Sequence, residues 1–171
     1  SFLFLSALSL FDLIVTFSHG KKVTYQATID NLHILDYDYY FRMTEALFNE
    51  DTPATLLLFD EILKKGFDGH NFIVGLSGHF RDLMVCKDNA TIQLLEVSDT
   101  VKAKYQAQAN EVPMSFLLTA LNVANQCDIH YKASKNQRLH VELALLKMAH
   151  LKRAIQLADV SVADDSSKKK A

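Results

Sequence analysis

Tryptophan is absent from this 171-residue chain, and glycine (5), proline (2) and cysteine (2) are scarce. Each shortage excludes something. So few Gly and Pro residues cannot punctuate the many turns of a sandwich or barrel, which favours long helices and an all-α fold. Cys86 and Cys127 lie far apart, with no CxxC pair and no further cysteines to build a disulfide framework. Both read as reduced core residues of a cytosolic protein. A surplus of either charge is also missing: 18 basic residues against 20 acidic leave a formal charge of -2. Phosphate binding needs a concentrated basic surface, so any DNA contact would be local or indirect. No GxxxxGK[ST] or GxGxxG loop occurs, which excludes nucleotide binding by those routes.

What is present is apolar material in helical register. Apolar residues make up 49% of the chain and charged residues 22%, enough for one main domain with its own core. The N-terminal stretch from Ser1 to Phe17 is largely apolar, but it lacks an initiator Met and a basic n-region, and Asp12 interrupts it. It reads as a buried helix cut from a larger chain, neither a targeting segment nor a membrane span. His19-Gly20-Lys21-Lys22 reads as its stop. Thr24 is a candidate cap for a short helix through about Leu32, and Asp36 for one ending near Asn49. Thr52-Pro53 reads as the start of a helix that buries Leu56, Phe59, Ile62 and Leu63 and stops at Gly66. Asp68 can cap a helix in which Gly75 and Gly78 allow close approach of a neighbour. Asn89 to Val97 reads as a short helical piece. Ser98 can cap a helix through about Ala109, and Pro113 can open one with Phe116, Leu117, Ala120, Leu121 and Ala124 inward. A final helix runs from near Asn136 to about Ile155, and Asp164 to Lys170 reads as the start of a solvated linker. No repeat of fixed period occurs.

That last helix carries the most information. At about 100° per residue, Leu139, Val141, Leu143, Ala144, Leu145, Met148 and Leu151 spread over most of its circumference. A helix apolar nearly all round must be covered nearly all round, by its own domain or by neighbouring chains. The pattern points to assembly.

Candidate chemistry is thin. Of the seven histidines none forms HExxH or a His-Asp doublet, and His70 and His79, nine apart, fall on opposite sides of one helix. Hydrogen-bonded structural histidines are the default, and an all-α metal-dependent hydrolase is the alternative. Lys87 beside Cys86 would lower a thiol pKa, yet no motif marks a nucleophile. Tyr37-Asp38-Tyr39-Tyr40-Phe41-Arg42 has the residue types that stack on bases, but its helical placement and acidic neighbours favour packing. Arg138 and Glu142, four apart, can pair on one face or reach a neighbouring subunit.

Six segments, in their order and spacing, resemble the gamma/tau subunit of bacterial DNA polymerase III: Ala7–Asp12, Ile29–Leu32, Asp36–Phe41, Phe67–Phe72, His79–Met84 and Asn136–Leu145. The resemblance runs from Ala7 to about Leu151. It implies the end of an ATPase lid at 1–20, a helical collar domain of about seven helices at 21–157, and a flexible linker at 158–171. The parent chain would be an ATPase of the clamp loader, with ATP and Mg held in a module outside this segment, so this segment is expected to be non-catalytic and to hold no cofactor. A nucleotide-sensing Arg precedes the Ala-Leu-Ser run in that family; here the matching position is Leu5, and that role does not carry over. The implied partners are other clamp-loader subunits (gamma/tau copies, delta and delta'), with DNA met only indirectly, no membrane and a cytoplasmic location. Arg138, Glu142, Leu145, Phe72 and Arg81 are the candidate interface residues. A free-standing helical adaptor is a further alternative.

Overall fold

A computed structural model describes residues 36–158. The expected lid fragment, the short helix from Thr24 and the linker beyond Ala158 lie outside the described residues. Six α-helices follow one another: α1 (Tyr37–Phe48), α2 (Thr52–Lys64), α3 (Gly69–Val85), α4 (Asp99–Glu111), α5 (Met114–Tyr131) and α6 (Gln137–Ala149). A 3₁₀ turn, Ile92–Leu94, separates α3 from α4, and residues 151–158 are again helical after a break at His150. No strand occurs among the described residues. The helices named, Tyr37 apart, belong to one compact unit that begins at Asp38.

Side-chain caps set most of the boundaries. Asp68, Ser98 and Asn136 accept hydrogen bonds from the backbone N–H groups of Asn71, Val101 and Leu139, each satisfying an orphan donor of the first turn. At α2 the cap is Asp51, which accepts from Ala54 N, while Thr52 and Pro53 occupy the first helical positions. Thr52 is therefore not the cap expected from the sequence; a carboxylate one residue earlier competes successfully for the same role. Gly66 ends α2 at φ +88. Its N–H donates to Leu63 and that of Phe67 to Ile62, a paired closure that needs a left-handed residue. Between Asn89 and Val97 only Ile92–Leu94 is helical, because Asp88 and Thr91 direct their side-chain hydrogen bonds into a local turn.

α3 is the central helix and packs against α4, α5 and α6, while α6 also covers α2 and α5. The start of α3 meets the end of α5 where His70 bonds Asp128, so these two run antiparallel. The end of α5 meets the start of α6 through His140 and the Cys127 carbonyl. Phe59, Phe72, Phe80 and Phe116 are enclosed with Leu117 and Leu145, each large side chain contributing about 1.5–3 kcal/mol of transfer free energy. Tyr40 crosses α3 at Gly75, where a Cβ would lie 2.0 Å from the Tyr40 hydroxyl oxygen. Gly78 differs: a Cβ there meets nothing within 4 Å, so it faces open space and is not a site of helix approach.

His79 sits 2% exposed between α1, α3 and α4. Gln108 donates its Nε2–H to the Phe41 carbonyl at 2.9 Å, which leaves its Oε1 to accept from His79 Nε2 at 2.9 Å. That order places the ring proton on Nε2, and Nδ1 accepts from the Tyr105 hydroxyl at 3.1 Å. Burial disfavours the imidazolium and pushes its pKa down to about 4, against a smaller upward effect of the Gln108 bond. This histidine is a neutral tie between three helices.

Candidate subunit interface

α6 is apolar on two opposed sides. Val141, Ala144, Leu145 and Met148 are buried, whereas Leu139 and Leu143 are each 47% exposed and Leu146 is half-buried. Leu139, Leu143 and Leu146 fall within about 60° of one another and roughly opposite Val141 and Met148. The outer leucines therefore form a ridge on a helix whose inner face is already filled.

A second apolar face lies on α3 and α5. Leu118 (55% exposed) and Ile129 (61%) share the outer side of α5, opposite the buried Leu117, Ala120 and Ala124. Val74 and Arg81 are exposed on the adjoining side of α3. Between the two helices runs a groove of about 390 Å³ lined by Val74, Ser77, Leu118, Leu121, Asn122, Asn125 and Asp128. The only charged lining residue is Asp128, whose Oδ1 lies 2.5 Å from His70 Nε2, with the His70 ring stacked on Tyr131. Leu121, expected on the inner face, is only half-buried, since it turns toward this groove.

The five sequence-derived interface residues do not share one surface. Phe72 is 1% exposed and Leu145 fully buried within the single chain, so both side chains belong to its core. Phe72 packs between Tyr40 and Phe59. Arg138 and Glu142 do lie on the surface, joined at 2.8 Å. Arg138 also reaches Asp60 on α2 at 3.0 Å, and Lys64 holds the other Asp60 oxygen at 2.6 Å. Lys64, then Arg138, hold the Asp60 carboxyl below its usual range, and Glu142, then Asp60, hold Arg138 above its own. The network clamps α2 to α6 within one chain; exposed pairs of this kind contribute little stability but fix geometry. Arg81 is exposed on α3, outside the groove lining, and pairs with Asp82 at 2.8 Å.

Leu118, Ile129 and Val74 went unnoticed in the sequence. The signal was available in α5, because Leu118 and Ile129, eleven residues apart, return to the same side of a helix whose opposite side holds the Phe116–Leu117–Ala120–Ala124 stripe.

Among the described residues, the reactive side chains do not build a catalytic constellation. Burial raises the Cys127 thiol to about 11 and also raises Cys86, with Asp82 adding to the latter, so neither is a ready thiolate. Lys87 does not activate Cys86; its amine donates to the carbonyls of Ala109 and Val112 and ties the end of α3 to the end of α4. In the aromatic run, Tyr39 is buried, Tyr40 stacks on Phe72, and Phe41 meets His79 edge-on. Three of its four rings are thereby engaged in packing. No group of three or more His, Cys, Asp or Glu side chains converges as a metal site among the described residues, nor is any described helix long and apolar enough to cross a membrane.

The family described as DNA polymerase III subunits gamma and tau domain III matches this chain over residues 23–160. No curated protein gives a match.

Proposed function

The chain belongs to the family of domain III of DNA polymerase III subunits gamma and tau, and from that premise we propose that it is a non-catalytic collar element that holds clamp-loader subunits together. The observation that carries the proposal is the outer ridge of α6. Leu139 and Leu143 stay half-exposed although the inner face of the same helix is fully packed. Surplus apolar surface on a filled domain is covered in stable assemblies by a partner, whose removal from water supplies the driving force. The partners this reading names are further gamma/tau copies and the delta and delta' subunits. Clamp loading in DNA replication, a cytoplasmic location and ATP hydrolysis by a module elsewhere in the parent chain belong to the same proposal.

The test is assembly. Wild-type chain and Leu143→Asp are each combined with the other clamp-loader subunits and resolved by size with mass detection. Wild type is expected to enter a complex that the variant fails to join, both retaining the same helical circular dichroism. A variant that assembles as well as wild type would remove the ridge from the account.

A further inference from the structure

α6 ends at His150, and the helical residues 151–158 beyond it are attached to the domain in a different way. His150 sits in the bridge region, at φ -104 and ψ 2, and a fresh helical ladder begins where the Ala154 N–H donates to its carbonyl at 3.1 Å. None of residues 151–158 is buried: Leu151, Lys152 and Ile155 are half-buried and the others exposed. α6, by contrast, is anchored by the fully buried Val141, Leu145 and Met148. Two cations supply the remaining attachment. Lys152 Nζ lies 4.5 Å from the centre of the Phe48 ring, and Arg153 donates to Glu50 Oε2 at 3.1 Å.

Glu50 is the single non-glycine residue with positive φ among the described residues, at φ 57. It closes α1 by the same pattern with which Gly66 closes α2. The Glu50 N–H donates to Leu47 and that of Asp51 to Ala46, as Gly66 donates to Leu63 and Phe67 to Ile62. Glycine takes this left-handed position without a Cβ clash, and glutamate does not. Local folding thus favours glycine at both places, and Glu50 stands against it. A backbone outlier kept against local preference points to a role for its side chain. That side chain, 24% exposed, pairs with Arg153, 103 residues away in sequence.

We propose that residues 151–158 are a releasable strap. It lies closed on the α1–α2 turn while Arg153 holds Glu50 and Lys152 covers Phe48, and it swings out about His150 when those contacts break. The Arg153 side chain is 70% exposed, so its ion pair is weak and screened by salt. The cation over the ring adds a second attraction of similar size. Phe48 also lines a groove of about 360 Å³ between α1 and α4. Opening the strap bares that ring and frees the point from which the chain continues past Ala158.

Hydrogen exchange of the whole chain, read by mass spectrometry, tests the strap. Wild type and Glu50→Gly are compared at about 0.1 M and about 1 M sodium chloride, between which the screening length falls from about 10 Å to about 3 Å. In wild type, exchange in residues 151–158 is expected to rise about 3–10-fold with salt. Glu50→Gly should raise it about 2–5-fold at the lower salt and shrink the further response to salt. Its urea unfolding midpoint should be unchanged or higher, because glycine suits the left-handed turn. The substitution lies on another element, so a change confined to residues 151–158 reaches them only through the strap contact. Exchange there that matches wild type in Glu50→Gly, or that ignores salt in wild type, overturns the strap. A rise spread equally over α6 overturns it too, since that marks general loosening.

Discussion

Acid should weaken this domain through His79. His79 is enclosed as a neutral ring, with its pKa at about 4 instead of the usual 6.5. The unfolded chain exposes the imidazole to water and takes up a proton near pH 6.5, so between pH 6.5 and 4 it binds more protons than the folded chain. Stability from this site is complete above pH 6.5 and is lost as the pH falls toward 4. At about 1.4 kcal/mol per pKa unit, the full loss is about 3 kcal/mol, of which some 2–3 kcal/mol is gone by pH 4.5. That is a large fraction of a small domain's total stability. The assay is urea unfolding of wild type and His79→Gln at pH 7 and 4.5. The glutamine does not titrate, so carboxylate protonation, common to both proteins, cancels in the difference. At pH 7 the variant is expected to be less stable by about 1–3 kcal/mol, through imperfect replacement of the Tyr105 and Gln108 bonds. At pH 4.5 the gap should shrink by about 2–3 kcal/mol or change sign. A gap that stays constant between the two pH values would refute the buried neutral tie.

Three other outcomes follow from single side chains. Gly75→Ala and Gly78→Ala make the same chemical change in one helix with opposite expected signs. The first drives a methyl into Tyr40 and should cost about 1–2 kcal/mol in urea unfolding, while the second meets nothing and should gain up to about 1 kcal/mol from helix propensity. Thr44 Oγ1 is buried without a hydrogen-bond partner, so Thr44→Val should raise the unfolding midpoint by the equivalent of about 1 kcal/mol. Leu145→Asp should unfold the chain outright by burying an unpaired charge, whereas Leu143→Asp should leave its melting temperature nearly unchanged, a contrast thermal circular dichroism resolves.

The helices were legible because local chemistry marks them. Asp68, Ser98 and Asn136 each supply a short polar side chain just before an apolar period, and Gly66 supplies the left-handed turn that closes α2. Local chemistry failed where two residues compete for one role, as Asp51 and Thr52 do, and where turn-forming side chains outbid a weak helical pattern, as between Asn89 and Val97. The exposed apolar faces were read only in part for a different reason. On α6 the periodicity shows two apolar sides, but nothing in the helix says which side its own domain fills. Val141, Leu145 and Met148 took the core, and Leu139 and Leu143 were left outside. Leu145 and Phe72 lie in the core for the same reason, since apolar residues look alike in the sequence whether they face a neighbour or the core. The ion network at Arg138 was half visible: Glu142 lies at i+4, whereas Asp60 is brought in by the packing of α2 on α6.

The surplus of oily surface on a finished core has one direct consequence for the free chain in solution. Sedimentation equilibrium across rising concentrations should show a weight-average mass climbing above the 19.3 kDa of one chain, and climbing less for Leu143→Asp. A wild-type mass that holds at the single-chain value throughout would contradict it.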